Sequence, residues 1–523
     1  MPLTVLKDDE IASLLNVLTF DELESFRGVL KQALYEYSTG TQDIKDGEIQ
    51  QPPRTSVTSP VTGGTTLFMP SCSTDGIGMK VITLSKARKE TPLPPQQGLA
   101  AAAAASVSAP PPVIRPTGAL TLYSDKGNPI GILHASTLTA FRTALASACL
   151  LMRRDYVRNI TVFGCGEQAY WHVRLALLLR GTTIRHVNII SRRFDSSRAF
   201  VARFYKMPTA VKEREGWATD TKFSILTTGY NEYARLLSDN LRSSDVIFCC
   251  TPSTEPLFDH HILTNHEGRR KGRLIVAIGS YTHEMREVPA ELLRQATKVS
   301  DRNHIHYHKH AVEGGVVIVD TLDGALKEAG EIIEAGLTPR HLVELGELVM
   351  LSRITLQEDD SSDDVSSSNA STYSAASSEF EKISLNGPAM STVFGGQETP
   401  TITTTTAPST PTTPTKSSFA SILGNESSTA STVGTHSRSS SPARKGSGGF
   451  LSSLTPGRSS HRRSSSQASI DRRKKKEDHS ARWLQRGNVI YKSVGLGLMD
   501  LSVGLHLIEF AREKGVGVRI DGF

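Results

Sequence analysis

Residues 160–169, Ile-Thr-Val-Phe-Gly-Cys-Gly-Glu-Gln-Ala, run an apolar segment straight into a Gly-x-Gly-x-x-Ala turn, and helical apolar spacing follows. Few folds tolerate that order. Gly164 permits a tight turn, Gly166 lets the backbone approach a pyrophosphate, and Ala169 is small enough for a helix to pack closely on the strand. The pyrophosphate would rest on the N-terminus of that helix. A bare glycine turn can be purely structural. With a strand before it and a helix after it, dinucleotide binding is expected, with Gly164, Gly166, Gln168 and Ala169 as contacts. Strand-like runs at 160–163, 187–190, 246–250, 274–278 and 316–319 alternate with helical segments at 168–179, 196–204 and 231–237. Strands separated by crossover helices imply a parallel sheet, hence an α/β, Rossmann-type doubly wound domain.

The end of the second strand bears on the choice of nicotinamide cofactor. An acid there hydrogen-bonds ribose hydroxyls, whereas arginine accommodates a 2′-phosphate. The chain reads Ile190-Ser191-Arg192-Arg193, with Asp195 nearby. NADP(H) is favoured and NAD(H) remains possible; the alternative is that both arginines are solvated loop residues. Cys249-Cys250-Thr251-Pro252-Ser253 follows the next strand, at the carboxyl edge where ligands of such sheets bind. Thr251 is a candidate cofactor contact, although Thr-Pro can equally just end a strand.

The rest of the chain reads differently. Before residue 140, short extended runs and a turn at Asp125-Lys126-Gly127-Asn128 indicate an antiparallel α+β region, preceded by a helix capped near Asp8 or Asp9 and a second from Thr19 with Asp21 and Glu22 in its first turn. Hydrophobic residues make up 38% of the 523, below the usual value of about 45–50%, so part of the chain is expected not to fold. Residues 355–480 are almost entirely Ser, Thr, Pro, Gly and charge, too poor in apolar groups to offset the entropy of ordering them. A shorter insertion, 87–113, places polyalanine between proline clusters. Helical apolar spacing resumes at 499–508, and a domain tolerates a long loop because closure entropy grows only logarithmically.

Several classes are excluded. No apolar run is long enough to span a bilayer, and residues 1–10 lack an apolar targeting core, so a cytoplasmic protein is expected. The net charge of +6 owes much to Arg472-Arg473-Lys474-Lys475-Lys476 in the polar stretch, which does not point to nucleic acid. Five cysteines without CxxC spacing are expected to be reduced thiols. His304, His306, His308 and His310 alternate as metal ligands on a strand can, but no Cys or carboxylate stands at ligand spacing, and no metal is assigned. Arg462-Arg463-Ser464-Ser465-Ser466, with Thr-Pro and Ser-Pro pairs at 410, 413 and 441, makes a kinase acting on the Ser-rich stretch a hypothesis.

The order of motifs resembles the ornithine cyclodeaminase and mu-crystallin family over nearly the whole chain apart from the two insertions. The resemblance is carried by Arg54 after a proline pair, Gly78-Met79-Lys80, the 138–144 segment with Arg142, the glycine turn with His172, Gly279-Ser280-Tyr281, Val319-Asp320, and Ser493-Val494-Gly495-Leu496 with Asp500. It implies a substrate and dimerisation domain in 1–140, a Rossmann domain in 141–320, a return to the first domain in 321–354, the disordered insertion 355–480, and completion of the first domain by 481–523. It also implies a homodimer, Gly279 at the cofactor, and Arg54, Lys80 and Arg142 around the carboxylate of a small imino or amino acid. Charge-assisted hydrogen bonds from such cations hold and orient an α-carboxylate, and Lys80 can relay a proton to an imine nitrogen.

One departure is informative. Cyclodeaminases carry an aspartate in the segment after the fourth strand that acts on the ornithine amine, and Tyr281 aligns with it. Without that base, ring-closing deamination is disfavoured relative to reduction of the C=N bond of a preformed cyclic imine, as in the ketimine reductases that the resemblance brings in. The expectation is therefore an NAD(P)H-dependent imine reductase with Lys80 and Arg142 as catalytic residues. Ornithine cyclodeamination, amino acid dehydrogenation with NAD, and a non-catalytic NADP(H)-binding interaction module are the alternatives.

Overall fold

Among the described residues, fifteen strands form two sheets. The computed structural model describes residues 2–42, 47–84, 117–280, 282–298, 314–348 and 484–523. All belong to one unit formed by 1–394 and 470–523. The 87–113 and 355–480 insertions, the 472–476 basic run, Tyr281 and the alternating histidines lie outside the described residues, as do the Ser-rich motifs.

In chain order the strands are β1 (Leu3–Leu6), β2 (Thr55–Thr58), β3 (Thr65–Ser73), β4 (Gly76–Leu84), β5 (Thr117–Tyr123), β6 (Pro129–His134), β7 (Asn159–Phe163) and β8 (His186–Ser191). There follow β9 (Lys222–Thr227), β10 (Val246–Cys249), β11 (Leu274–Ala277), β12 (Val316–Val319), β13 (Leu342–Glu344), β14 (Val489–Lys492) and β15 (Val518–Ile520). The first sheet has the order β15-β1-β6-β5-β4-β3-β2 and is antiparallel apart from the β1–β6 pair. The second, β13-β12-β14-β11-β10-β7-β8-β9, is parallel throughout.

That second sheet is the expected Rossmann arrangement with two corrections. Strand β13 pairs with β12, and β14 lies between β11 and β12, so residues 342–344 and 489–492 belong to the nucleotide sheet and not to the first domain. The physical reason is burial: every residue of β13 and β14 is buried, which only sheet partners and helices on both faces can provide. The chain returns to the first domain after Ser493. There the helix Gly497–Glu513 lies along the first sheet, and β15 pairs with β1.

Local signals account for several boundaries. The helix Phe20–Thr39 begins with a capping box, in which the Glu22 N–H donates to the Thr19 hydroxyl at 3.2 Å and the Thr19 N–H donates to the Glu22 carboxylate at 2.8 Å. The helix Asp8–Asn16 is capped differently from the expectation. Lys7 is its N-cap, and Glu10 accepts the Lys7 N–H at 2.8 Å. Asp8 is committed elsewhere: its carboxylate accepts the Thr137 N–H at 2.9 Å and meets His134 Nδ1 at 3.0 Å, closing the N-terminus of the helix Ala135–Leu151.

The Ala135–Leu151 helix is the pivot between the sheets, and all of it except Ser136 and Thr139 is buried. Edge-to-face aromatic contacts run through it, from Phe26 to Phe141 at 5.5 Å and from Phe141 to Trp171 at 5.4 Å. Arg154 ties the returning chain in place by donating to the carbonyls of Leu484, Gly487 and Gly272 at 2.9–3.1 Å.

If β14 closes the parallel sheet, Ile490→Ala costs about 2–5 kcal/mol in chemical denaturation, as core truncations do. Thr58→Ala on the exposed edge strand β2 is expected to cost less than about 0.5 kcal/mol.

Candidate active site

The glycine turn stands where the strand order reverses. Strand β7 has β8 on one side and β10 on the other, which is the point at which open parallel sheets bind ligands beyond their carboxyl ends. Gly164 has φ +98°, and a Cβ there would lie 2.8 Å from the Cys250 carbonyl oxygen, so only glycine fits. A Cβ on Gly166 would meet nothing within 4 Å, leaving the backbone open to a ligand. The helix Glu167–Arg180 starts at once, and its first N–H groups have no intrahelical acceptors. Ala169 is fully buried, and the buried Oε1 of Gln168 has no hydrogen-bond partner among the described residues. An open backbone cradle and a helix N-terminus fit the pyrophosphate of a dinucleotide, and the Gln168 oxygen, an acceptor, suits a hydroxyl or amide donor elsewhere on such a cofactor.

Beyond β8, the Ser191 hydroxyl meets Ser197 Oγ at 2.6 Å and donates to the Arg193 carbonyl at 3.0 Å. Arg192 and Arg193 are exposed, and neither guanidinium has an ion pair or hydrogen bond among the described residues. Arg193 faces the glycine turn closely enough to act on the Cys165 thiol, whose pKa burial raises while Ser197, Ser191 and Arg193 oppose. A contact that the sequence did not suggest lies beside it: Arg203 sits 3.4 Å from the centre of the Tyr170 ring and grips Glu167 at 2.7 and 3.0 Å.

Three cations expected around a substrate carboxylate lie on different elements. Lys80 comes from β4, Arg142 from the Ala135–Leu151 helix, and Arg54 from the segment before β2. Lys80 and Arg142 converge on one carboxylate: Lys80 Nζ lies 3.0 and 3.1 Å from the Asp500 oxygens, and Arg142 Nε lies 3.2 Å from Oδ1. All three residues are buried. Arg54 pairs with Glu328 and is close enough to act on Lys80. Desolvation lowers the Lys80 pKa to about 8; Asp500 opposes this, and the Arg142 and Arg54 charges reinforce it.

The cluster abuts the carboxyl edge of the parallel sheet. Gly495 has φ +86°, and a Cβ on it would lie 2.9 Å from an Arg142 guanidinium nitrogen. Asp320, just beyond β12, holds that turn by accepting the Ser493 hydroxyl at 2.8 Å and the Val494 and Gly495 N–H groups at 3.1 and 2.8 Å. Lys80, Arg142 and Arg54 thus gather beside Asp500 and Glu328, and cations so placed can hold a carboxylate through charge-assisted hydrogen bonds.

His172, in the glycine-turn motif, is a strut and not a proton carrier. Its Nδ1 faces the Gln168 carbonyl at 2.7 Å, its Nε2 meets Ser147 Oγ at 2.8 Å, and burial lowers its pKa to about 4. Thr251 and Gly279 occupy the loops after β10 and β11. Both N–H groups are taken by Glu287, which the sequence reading did not single out because a lone acid in a loop carries no pattern. Asp500 did leave a signal, an acid inside the apolar run Met499-Asp500-Leu501. All five cysteines are unpaired. Among the described residues, Asp259, His260 and His261 bring ligand-type atoms within 4.8 Å of one another at the surface, and Asp259 already accepts the His261 N–H at 2.9 Å.

Comparisons with known proteins bear on the family and the fold. Residues 11–344 match the sequence profile of the ornithine cyclodeaminase/mu-crystallin family. The ketimine reductase mu-crystallin of Mus musculus is 24% identical over 325 residues, which cover 61% of this chain and 80% of that protein. The Thermococcus litoralis Δ1-pyrroline-2-carboxylate reductase, solved in complex with NADH and L-proline, superposes with a TM-score of 0.52 at 15% identity, covering 98% of this chain and 99% of that one. An archaeal alanine dehydrogenase dimer with bound NAD gives 0.52 at 14% identity, with both chains fully covered.

Asp500→Asn leaves two buried cations sharing no anion, so stability is expected to fall by about 3–5 kcal/mol in urea or guanidinium unfolding. A loss below about 1 kcal/mol would mean that Asp500 does not bear their charge.

Proposed function

This chain belongs to the ornithine cyclodeaminase/mu-crystallin family, and from that premise we propose that it is an NAD(P)H-dependent oxidoreductase that reduces the C=N bond of a small, cyclic imino acid. The observation that carries the reading is the buried Lys80–Arg142–Asp500 cluster at the carboxyl edge of the Rossmann sheet. Arg142 and Arg54 hold the substrate carboxylate, which fixes the α-carbon for attack. The dinucleotide, when bound, supplies the hydride to that carbon. Lys80 donates a proton to the nitrogen as the C=N π bond becomes a C–H and an N–H bond, and the amine it leaves recovers a proton from water. A lysine with a pKa of about 8 is suited to that exchange near neutral pH.

NADP(H) is the favoured cofactor because Arg192 and Arg193 stand exposed and unpaired beyond β8, where a 2′-phosphate of the adenosine ribose would lie. Reduction is preferred to cyclodeamination because Tyr281 stands in place of the amine-directed aspartate. The retained cation cluster argues against a purely binding role. Gly164, Gly166, Gln168, Ala169, Ser191, Thr251 and Gly279 complete the cofactor cradle in this reading.

A homodimer is also proposed, built on the face of the first sheet opposite its helices. Ile77, Met79 and Val81 alternate with the buried Gly78, Lys80 and Ile82, and register aligns Phe68 with Val81 and Thr121 with Met79. These residues leave a half-exposed apolar row, and Ile77 is 39% exposed. Val81→Asp is expected to shift the protein to monomer in analytical ultracentrifugation, and an unchanged dimer would exclude this face.

With Δ1-pyrroline-2-carboxylate as probe, Lys80→Ala is expected to lower kcat by about 10²–10⁴-fold while NADPH still binds. For the wild type, kcat/KM in reduction is expected to fall as pH rises through about 8, because the acid form of Lys80 is lost. A pH-independent rate and an active Lys80→Ala variant would refute the proton-donor role.

A further inference from the structure

The loops after β10 and β11 approach so closely that a Cβ on Gly279 would lie 2.3–2.5 Å from backbone atoms of Thr251. Glu287 joins them. One carboxylate oxygen accepts the Thr251 N–H at 2.7 Å and the other accepts the Gly279 N–H at 2.6 Å, with the Thr251 hydroxyl 3.4 Å away. Glu287 is fully buried. Ser280, the next residue along, is gripped by a second buried pair. Lys492 of β14 donates to its carbonyl at 2.8 Å and contacts its hydroxyl, and that hydroxyl donates to Glu331 at 2.9 and 3.0 Å. Lys492 also pairs with Glu331 at 3.1 Å.

Two carboxylates and one ammonium are thus buried together beneath two loops. Burying a carboxylate is costly and pushes the Glu287 pKa up, but Lys492 and the two N–H donors, one to each oxygen, pull it back down and favour the charged form. An uncharged side chain would avoid that cost, but no uncharged side chain offers two equivalent acceptors to two peptide N–H groups at once. The arrangement is therefore specific to holding Thr251 and Gly279 at a set separation.

We propose that Glu287 is a positioning residue for the dinucleotide: it staples the loops after β10 and β11, and so sets the spacing of the backbone against which the cofactor lies. This rests on the reading of Thr251 and Gly279 as cofactor contacts given above. Lys492 and Glu331 hold the β11 loop at Ser280, so the C-terminal segment contributes to the same staple.

Glu287→Gln tests this directly, because an amide accepts at one atom only and turns an N–H group toward the other peptide donor. Fluorescence titration of the full-length protein with NADPH and with NADH is expected to show cofactor affinity about tenfold or more weaker, as loss of a charge-assisted hydrogen bond predicts. KM for the imino acid should stay within about twofold, and thermal unfolding should leave the variant folded at the assay temperature. A merely structural glutamate would lower the melting temperature and leave the affinity of the folded protein unchanged, which would overturn the proposal. If Glu287→Gln does not fold, Glu287→Asp keeps the charge but withdraws both oxygens by one methylene and is read in the same way. Wild-type protein that binds the cofactor but turns over no imino acid would sink the reductase reading while the titration still decides the role of Glu287. Wild-type protein that binds neither nucleotide would overturn both.

Discussion

Strand β14 lies between β11 and β12, hydrogen-bonded to both, yet more than 140 residues separate it in sequence from the end of β13. The parallel sheet is continuous only when that strand is in place, because β11 and β12 have no direct pairing. Its residues alternate toward two cores: Val489 and Tyr491 face one and Ile490 the other. The same few residues then carry the chain past Lys492, which grips the β11 loop, through the Ser493–Gly495 turn against Arg142, and on to Asp500 beside Lys80. A single returning segment thereby completes the nucleotide sheet and the charge balance of the site.

That balance explains how cations can be buried in advance of a ligand. A lysine and an arginine out of water each cost several kcal/mol unless paired, and Asp500 serves both. The compensation is deliberately partial in its consequence: desolvation and two neighbouring guanidinium groups leave Lys80 with a loosely held proton. In the proposed reading, the features that make the cluster costly to bury also make it receptive to an anion with an adjacent proton-accepting nitrogen.

Parts of this were legible in the sequence for a clear reason. A positive φ at Gly164 and an open approach at Gly166 exclude most side chains, so the turn leaves a local mark. The capping box at Thr19 and Glu22 is local in the same way. Arg54, Lys80 and Arg142 were found through family resemblance, since no spacing links a strand, a helix and a loop that meet only in three dimensions. Strand β9 was missed because its edge position leaves mixed exposure, and β13 because three residues carry little periodicity. The place of 342–344 and 489–492 in the parallel sheet was not legible because pairing partners depend on the whole sheet. Glu287, Glu331 and Lys492 were invisible for the same reason: each is one charged residue whose meaning lies in partners far along the chain.

In the proposed reaction, hydride reaches the α-carbon of an imino acid held at Lys80 and Arg142. Incubating the purified protein with NADPH deuterated at the transferable C4 position and Δ1-pyrroline-2-carboxylate, and weighing the product by mass spectrometry, tests it directly. Proline one mass unit heavier, with deuterium at the α-carbon, is expected. Unlabelled product, or none across a panel of cyclic imino acids with either deuterated nucleotide, would contradict it.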